Sequence, residues 1–290
     1  MVIQDFTTRT IPLNELPAWS DWPLRLLALS EWQIPLRNTD KVDSEYDKDE
    51  YRRCLTFAQE NASHVAADVI KAFELRLENL KSICVSHKGA LYEMPADQII
   101  PANNQLLVEA LEPLMADVDT VVEIGCGYGF NLWQLHKYFP DKTYRGGEYS
   151  QNAVELASVL YKDIPQLTIE HCNFYDDTYA VLEKCQPNSR VLLFTRHAIE
   201  QIPTATKVLQ ALTQYFDRLV TVAHLEIIYE NNDDSLLGLM RQRYAQINDY
   251  NRDLLGLLQA RDDIEIFRND PDEFGHNPLN PTSVLMWRPR

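Results

Sequence analysis

Glycine is scarce in this chain, 9 of 290 residues. Three of the nine, Gly125, Gly127 and Gly129, fall within five positions, so a local backbone requirement governs their use there. Positive charge is also short: 27 Lys and Arg stand against 43 Asp and Glu, for a formal net charge of −16 and a pI near 4.8. A DNA or RNA binder presents a basic face, so no nucleic-acid partner is expected. The acceptable partners are small molecules and neutral or cationic peptides. Cys54, Cys84, Cys126, Cys172 and Cys185 make an odd set with no Cys-x-x-Cys pair. This argues against structural zinc and a disulfide framework, and for free thiols in a reducing compartment. No apolar run approaches the roughly twenty residues that span a bilayer. The start, Met1-Val-Ile-Gln-Asp-Phe, lacks the basic and apolar regions of a signal peptide. A cytoplasmic protein with no membrane partner is expected. Apolar residues are 45%, enough for one large domain or a domain with a cap. There are no internal repeats and no low-complexity tract.

What is present is organised around Val121-Val122-Glu123-Ile124-Gly125-Cys126-Gly127-Tyr128-Gly129-Phe130-Asn131. Residues 121–124 read as a short buried strand, and residues 131–139 as a helix with Leu132, Leu135 and Phe139 near one face. Strand, glycine turn and helix N-terminus together make a nucleoside- or dinucleotide-binding corner. The spacing is Gly-x-Gly-x-Gly, not the Gly-x-Gly-x-x-Gly of hydride-transfer domains. Glu123 sits two residues before the first glycine, where it would repel a pyrophosphate and attract an ammonium. Glu148 ends a second strand, Thr143–Glu148, about twenty residues on, where a carboxylate can accept both hydroxyls of a ribose. A ligand with both an amino group and a ribose suits this pair.

This constellation resembles motif I and its partner acid in the class I S-adenosylmethionine-dependent methyltransferases. The resemblance covers roughly residues 100–290 and says little about the methyl acceptor. It implies an α/β fold: a doubly wound, seven-stranded, mostly parallel sheet ending in an antiparallel hairpin. It implies S-adenosylmethionine as cofactor, bound by Glu123, Gly125, Cys126, Gly127, Gly129, Glu148, Tyr149, Asn173, Phe174 and Thr195. Cys126 reads as a small filler of the loop. In the family an acid at the position of Asn173 takes the adenine amino group. Asn173 departs from that pattern, although its carbonyl oxygen can accept the same bond, and Asp176 could substitute. Phe174 either stacks on adenine or fills the core.

Residues 1–100 read as an N-terminal arm and helical cap, and 101–290 as the Rossmann-like domain. Trp19, Trp22 and Trp32 lie among the prolines of the arm and either pack it onto the main domain or line an acceptor pocket. Residues 44–86 carry the longest helical signal, one helix or two broken near Asn61-Ala62-Ser63. Their apolar stripe is core or the face of a homodimer. Residues 87–95 read as a turn-rich connection: either a solvated loop or, as the resemblance implies, a segment that closes over the cofactor, where His87, Lys88 or Tyr92 could meet the methionine carboxylate. A helix over residues 103–115 follows. After the loop, Ser150 caps a helix, Leu167–His171 is a third strand, and residues 190–195 and 218–225 are the fourth and fifth. Residues 204–216 and 234–260 read as helices, 264–268 and 283–288 as the last strands, and 269–281 as a long turn.

The resemblance implies that the C-terminal end of the fourth strand, at Thr195, faces the transferred methyl. The next residues, Arg196-His197-Ala198-Ile199-Glu200, lack the Asn/Asp-Pro-Pro-Tyr/Phe pattern of methyltransferases acting on DNA, RNA and protein glutamine. They offer His197, which can take a proton from an acceptor hydroxyl near neutral pH, and Glu200 to orient it. His224 and Glu226 alternate on the fifth strand and share one side. With His197 they could hold a divalent ion, but no ligand spacing enforces this and no metal is assigned. Glu200, Glu226, Glu230 and Asp233 could instead form an acidic wall for a cationic acceptor. His276, Asn277 and Asn280 line the acceptor pocket or merely serve the turn. O-methylation of a sugar or secondary metabolite and N-methylation of an amine or peptide both stay open. A nicotinamide oxidoreductase and a non-catalytic cofactor-binding protein are the readings outside this class.

Overall fold

The computed structural model describes residues 2–29, 43–61 and 66–290. Trp32 and the proposed helix break at Ala62-Ser63 lie outside the described residues. A short run dominated by β-branched apolar residues suits a strand buried on both sides. Val121, Val122 and Ile124 in β4 (Thr120–Ile124) are such a run, and every residue of the strand is buried. Around it lie β5 (Thr143–Glu148), β6 (Leu167–His171), β7 (Val191–Arg196), β8 (Leu219–Glu226), β9 (Ile264–Phe274) and β10 (Thr282–Pro289). Their order is β6-β5-β4-β7-β8-β10-β9. β4 pairs in parallel with β5 and β7, β5 with β6, and β7 with β8; β10 runs antiparallel to both β8 and β9. This is the doubly wound, seven-stranded sheet with a closing hairpin that the sequence implies.

Two apolar layers sandwich the sheet. One joins helices Ile99–Leu111, Phe130–Tyr138 and Gln151–Leu160 to the N-terminal helices Arg52–Glu60 and Ala67–Glu74. The other joins Ala180–Glu183, Thr206–Thr213 and Leu254–Gln259. Ser150 caps its helix as expected, its hydroxyl accepting from the Ala153 amide at 3.1 Å. Among the described residues no helix is long and apolar enough to cross a membrane.

The cap differs from its helical reading. Residues 82–95 form a β-hairpin, β2 (Ser82–His87) and β3 (Ala90–Pro95), joined to β1 (Arg9–Ile11) in the order β1-β3-β2. Lys88 and Gly89 take φ of 48° and 77°, and two consecutive positive φ values make the tight turn that matches strand twist. A Lys-Gly pair between two apolar-rich runs was the available signal. The helix expected over 234–260 is two, Leu236–Ile247 and Leu254–Gln259. Asn251 breaks it: its side chain accepts from the amides of Asp253 and Leu254 and donates to the Ile202 carbonyl. The turn expected over 269–281 is shorter, because β9 continues to Phe274. β9 is the edge of the sheet, where Pro271 removes no needed donor. Trp19 and Trp22 pack the arm onto a third apolar cluster with Leu237 and Tyr244 of helix Leu236–Ile247; neither lines the cavity described below.

Candidate functional site

The strand order reverses at β4, whose neighbours β5 and β7 lead away in opposite directions. In open α/β sheets that point leaves a crevice beyond the strand ends. The glycine loop lies there. Gly125 and Gly127 have φ of 74° and 55°, in the left-handed region where a side chain is strained. A Cβ on Gly125 would also press on Phe174 at 3.2 Å, and one on Gly127 would lie 2.6 Å from the Tyr51 hydroxyl. Gly129 caps helix Phe130–Tyr138.

A cavity of about 290 Å³ opens at this point. Gly125, Glu148, Tyr149, Asn173, Phe174 and His197 of the expected site line it. Glu148 is nearly buried, and its two oxygens accept from the Gly127 and Ser150 amides, each at 2.8 Å. One bond per oxygen leaves lone pairs for further donors. Asn173 accepts from the Tyr175 amide at 3.0 Å, an Asx turn that fixes the loop after β6. Asp176 reaches only the Asn173 amide, at 3.4 Å, and does not line the cavity. Phe174 does both of the things expected of it, since it faces the cavity and packs on the second apolar layer.

Glu123 is fully buried beneath the loop and is not on the cavity wall. Oε1 accepts from Asn131 Nδ2 at 2.7 Å, while Oε2 is buried without a partner. Burial pushes its carboxyl up to about 8, against the pull of the Asn131 bond and the Arg196 charge. Arg196 is bonded to Asn131 Oδ1 at 3.3 Å and Asn103 Oδ1 at 2.6 Å. Cys126 and Thr195 are buried and do not reach the cavity.

The segment after β7 turns sharply, with His197 at φ 50°, a strained value for a non-glycine residue. Its Nδ1 lies 2.9 Å from Glu200 Oε2 and its Nε2 2.7 Å from Thr282 Oγ1. Burial lowers the imidazole pKa, but the Glu200 charge and hydrogen bond outweigh it and leave the group raised. Glu200 also accepts from Gln201 at 2.9 Å and Asn280 at 3.3 Å.

His224 and Glu226 are placed otherwise than expected. His224 is fully buried in the core. Its Nε2 lies 3.0 Å from Trp287 Nε1, and an indole N–H only donates, so Nε2 carries no proton. Nδ1 therefore donates to Thr195 Oγ1, at 3.0 Å. Both ring nitrogens are engaged and none is left for a metal. Burial pushes this imidazole down to about 3. Glu226 is also fully buried, and it accepts from the amides of Ala198 and Ile199 at 3.0–3.1 Å. It fixes the turn that carries His197. Burial and the Glu200 charge push it up to about 7. The expected acidic wall does not form. Glu230 accepts from the Gly256 amide and Asp233 from Ser235, while Asp249, in left-handed conformation at φ 52°, reaches the cavity instead.

His87, Lys88 and Tyr92 belong to the hairpin, far from the loop in function: His87 and Lys88 contact Glu273, and Tyr92 pairs with Thr10. Asn277 serves its turn, accepting from the Leu279 amide and donating to the Tyr244 hydroxyl. His276 lies 6.5 Å from the His197 ring and does not line the cavity. Lining residues that the motifs missed are Tyr46, Asp47, Tyr51, Gln201, Pro203 and Asp249. Asp47 accepts from the Ser150 hydroxyl at 2.6 Å and the Asn152 amide at 3.0 Å, which locks segment Asp43–Tyr51 over the site. Its only sequence signal is acidity at the start of a helical region.

No family model matches the chain, and no curated protein matches it in sequence. Solved structures similar to it include a geranyl diphosphate C-methyltransferase from Streptomyces coelicolor A3(2), at 11% identity over 68% of this chain and 81% of that one, TM-score 0.47. A putative sarcosine dimethylglycine methyltransferase from Galdieria sulphuraria is 12% identical over 67% and 88%, TM-score 0.48. The plantazolicin methyltransferase BpumL is 12% identical over 86% and 100%, TM-score 0.44. On its own strand order, antiparallel last strand and glycine loop at the switch point, the chain has the Rossmann-like, seven-stranded fold of the class I S-adenosylmethionine-dependent methyltransferases.

Proposed function

We propose that this protein is an S-adenosylmethionine-dependent methyltransferase acting on a hydroxyl of a small molecule. One observation carries the reading: a single cavity joins Glu148, Asn173 and Phe174 to the Glu200-bound imidazole of His197. The residues present fit the cofactor. Gly125 and Gly127 let the loop pack closely against Ala198 and Tyr51 at the cavity wall, and Glu148 keeps lone pairs for a ribose. Phe174 offers a ring face for adenine, and Glu123 holds an unpartnered oxygen beneath the loop. When bound, the sulfonium supplies an already activated methyl group. The chain must then align the acceptor, exclude water and accept a proton.

His197 is the proton acceptor in this reading. Glu200 anchors Nδ1, so Nε2 is the nitrogen that serves, and it must give up its bond to the buried Thr282 Oγ1 to reach an acceptor in the cavity. Its raised pKa means that the neutral, basic form grows as pH rises through a value above the ordinary histidine range. Methyl transfer should therefore rise with pH through that value in initial-rate measurements. The same dependence in His197→Ala would rule this base out. N-methylation is the second reading. It rests on Asp249, whose half-exposed carboxylate lines the cavity and is paired with Arg252 at 3.6 Å. The five cysteines are all unpaired and buried, which supports a cytoplasmic location.

The cofactor reading is tested by thermal unfolding with S-adenosylhomocysteine, with NAD as control. Ligand at about a hundred times its dissociation constant adds roughly 2.7 kcal/mol. A shift with S-adenosylhomocysteine alone is expected, whereas a shift with NAD alone would replace this reading by the oxidoreductase one.

A further inference from the structure

An indole N–H sets the direction of a hydrogen-bond chain that ends beneath His197. β7, β8 and β10 are neighbours, with Thr195 opposite His224 and His224 opposite Leu285. Trp287 lies two residues past Leu285, and Glu226 two past His224. Thr195, His224, Glu226 and Trp287 therefore share one face of the sheet, and all are buried. The Trp287 N–H can only donate, so His224 accepts at Nε2 and donates from Nδ1. Thr195 Oγ1 accepts from Nδ1, which leaves its own hydrogen for the Glu226 carboxylate to which it is bonded. Each bond decides the direction of the next.

Glu226 is both the end of this chain and the anchor of the turn after β7. It accepts from the amides of Ala198, Ile199 and Glu200, at 3.0–3.4 Å, and from the Thr195 hydroxyl. All of these are donors, and only an ionised carboxylate is acceptor-only. A proton on Glu226 would have to point at one of them. The turn so fixed holds His197 at its strained φ of 50°. Burial lowers the His197 pKa, Glu200 and Glu226 raise it above its ordinary value, and Arg196 opposes them. His276 also faces the ring, at a centroid distance of 6.5 Å. Apolar side chains of similar volume would fill this layer of the core with no polar group to satisfy.

We propose that Trp287, His224 and Thr195 are positioning residues for His197, acting through one directed chain of hydrogen bonds that keeps Glu226 as the anion beneath its turn. This inference rests on the reading of His197 as the base.

The test is NMR titration of the full chain with isotope-labelled histidines, His197 being identified as the signal that His197→Ala lacks. In the wild type, His224 should stay neutral, with its proton on Nδ1, at every pH at which the chain is folded. Thr195→Val removes the hydroxyl at similar volume. Glu226 then takes up a proton more readily, and His197 loses part of a neighbouring negative charge. The His197 midpoint should fall by roughly one pH unit, the order expected for losing a nearby opposite charge. Thr195→Ser keeps the hydroxyl and should hold the midpoint within about 0.3 of the wild type. An unchanged midpoint in Thr195→Val, even with a lower melting temperature, would make Thr195 a structural group alone and overturn the proposal. So would a wild-type His224 that carries its proton on Nε2 or becomes charged, a result that decides the matter should the valine variant not fold. The two readings fail separately. A wild type whose melting temperature S-adenosylhomocysteine leaves unmoved sinks the methyltransferase reading, whereas these titrations use no cofactor.

Discussion

At the scale of single residues, Glu123 shows how one carboxylate can be legible in position and illegible in state. Its place before the glycines is a sequence fact, but the burial that leaves Oε2 without a partner and raises its carboxyl to about 8 is tertiary. Between the ordinary carboxyl value of 4.5 and about 8 the folded chain holds a proton that the unfolded chain has lost. Stability therefore falls as pH rises through that window. Glu123→Gln keeps an acceptor for Asn131 and removes the titration. We expect its melting temperature to exceed that of the wild type at pH 8 and to match it near pH 5. A wild-type melting temperature that is flat from pH 5 to 8 would contradict this. His224 makes the complementary point: a histidine two residues from a strand end reads as a candidate catalytic residue, yet Trp287 and Thr195 turn it into a core hydrogen-bond bridge.

At the scale of elements, the links between segments matter more than the segments. The start of helix Gln151–Leu160 is capped by Ser150, and Asp47 adds a carboxylate at the same end from about a hundred residues away. An anion there meets free amides and the positive end of the helix dipole. Asp47→Ala should cost about 1 kcal/mol and weaken S-adenosylhomocysteine binding, because segment Asp43–Tyr51 loses its anchor. Denaturant unfolding and titration of the same variant read both effects. Loss of stability with unchanged affinity would separate that segment from the site. The regular alternation after the glycine loop was readable in detail: Thr143–Glu148 and Leu167–His171 form as expected, and Ser150 caps as expected. The hairpin over 82–95 was not, since its short strands satisfy their backbone only by pairing with each other and with β1. Helical periodicity carries no trace of such pairing.

At the scale of the molecule, the apolar layer on one face of the sheet runs across the boundary drawn near residue 100. Leu55, Ile70, Val85 and Met94 share it with Leu107, Leu132 and Leu156. A cap with no core separate from the sheet's cannot melt by itself. Calorimetry should therefore show one unfolding transition, with equal van't Hoff and calorimetric enthalpies. Two resolved transitions would show that the cap is an independent unit.

The sequence by itself determined the sheet and its ligand corner. Buried strands, three glycines and two acids at fixed spacing are local chemistry, and local chemistry is what a linear chain displays. Only the tertiary structure decided which polar residues meet in the cavity. Tyr51, Asp47 and Asp249 reach it from segments distant in the chain, and His224 and Glu226 leave it for internal partners. The physical reason is that a polar group's role follows from which donors and acceptors surround it once water is gone, and that neighbourhood is set by packing across the whole fold.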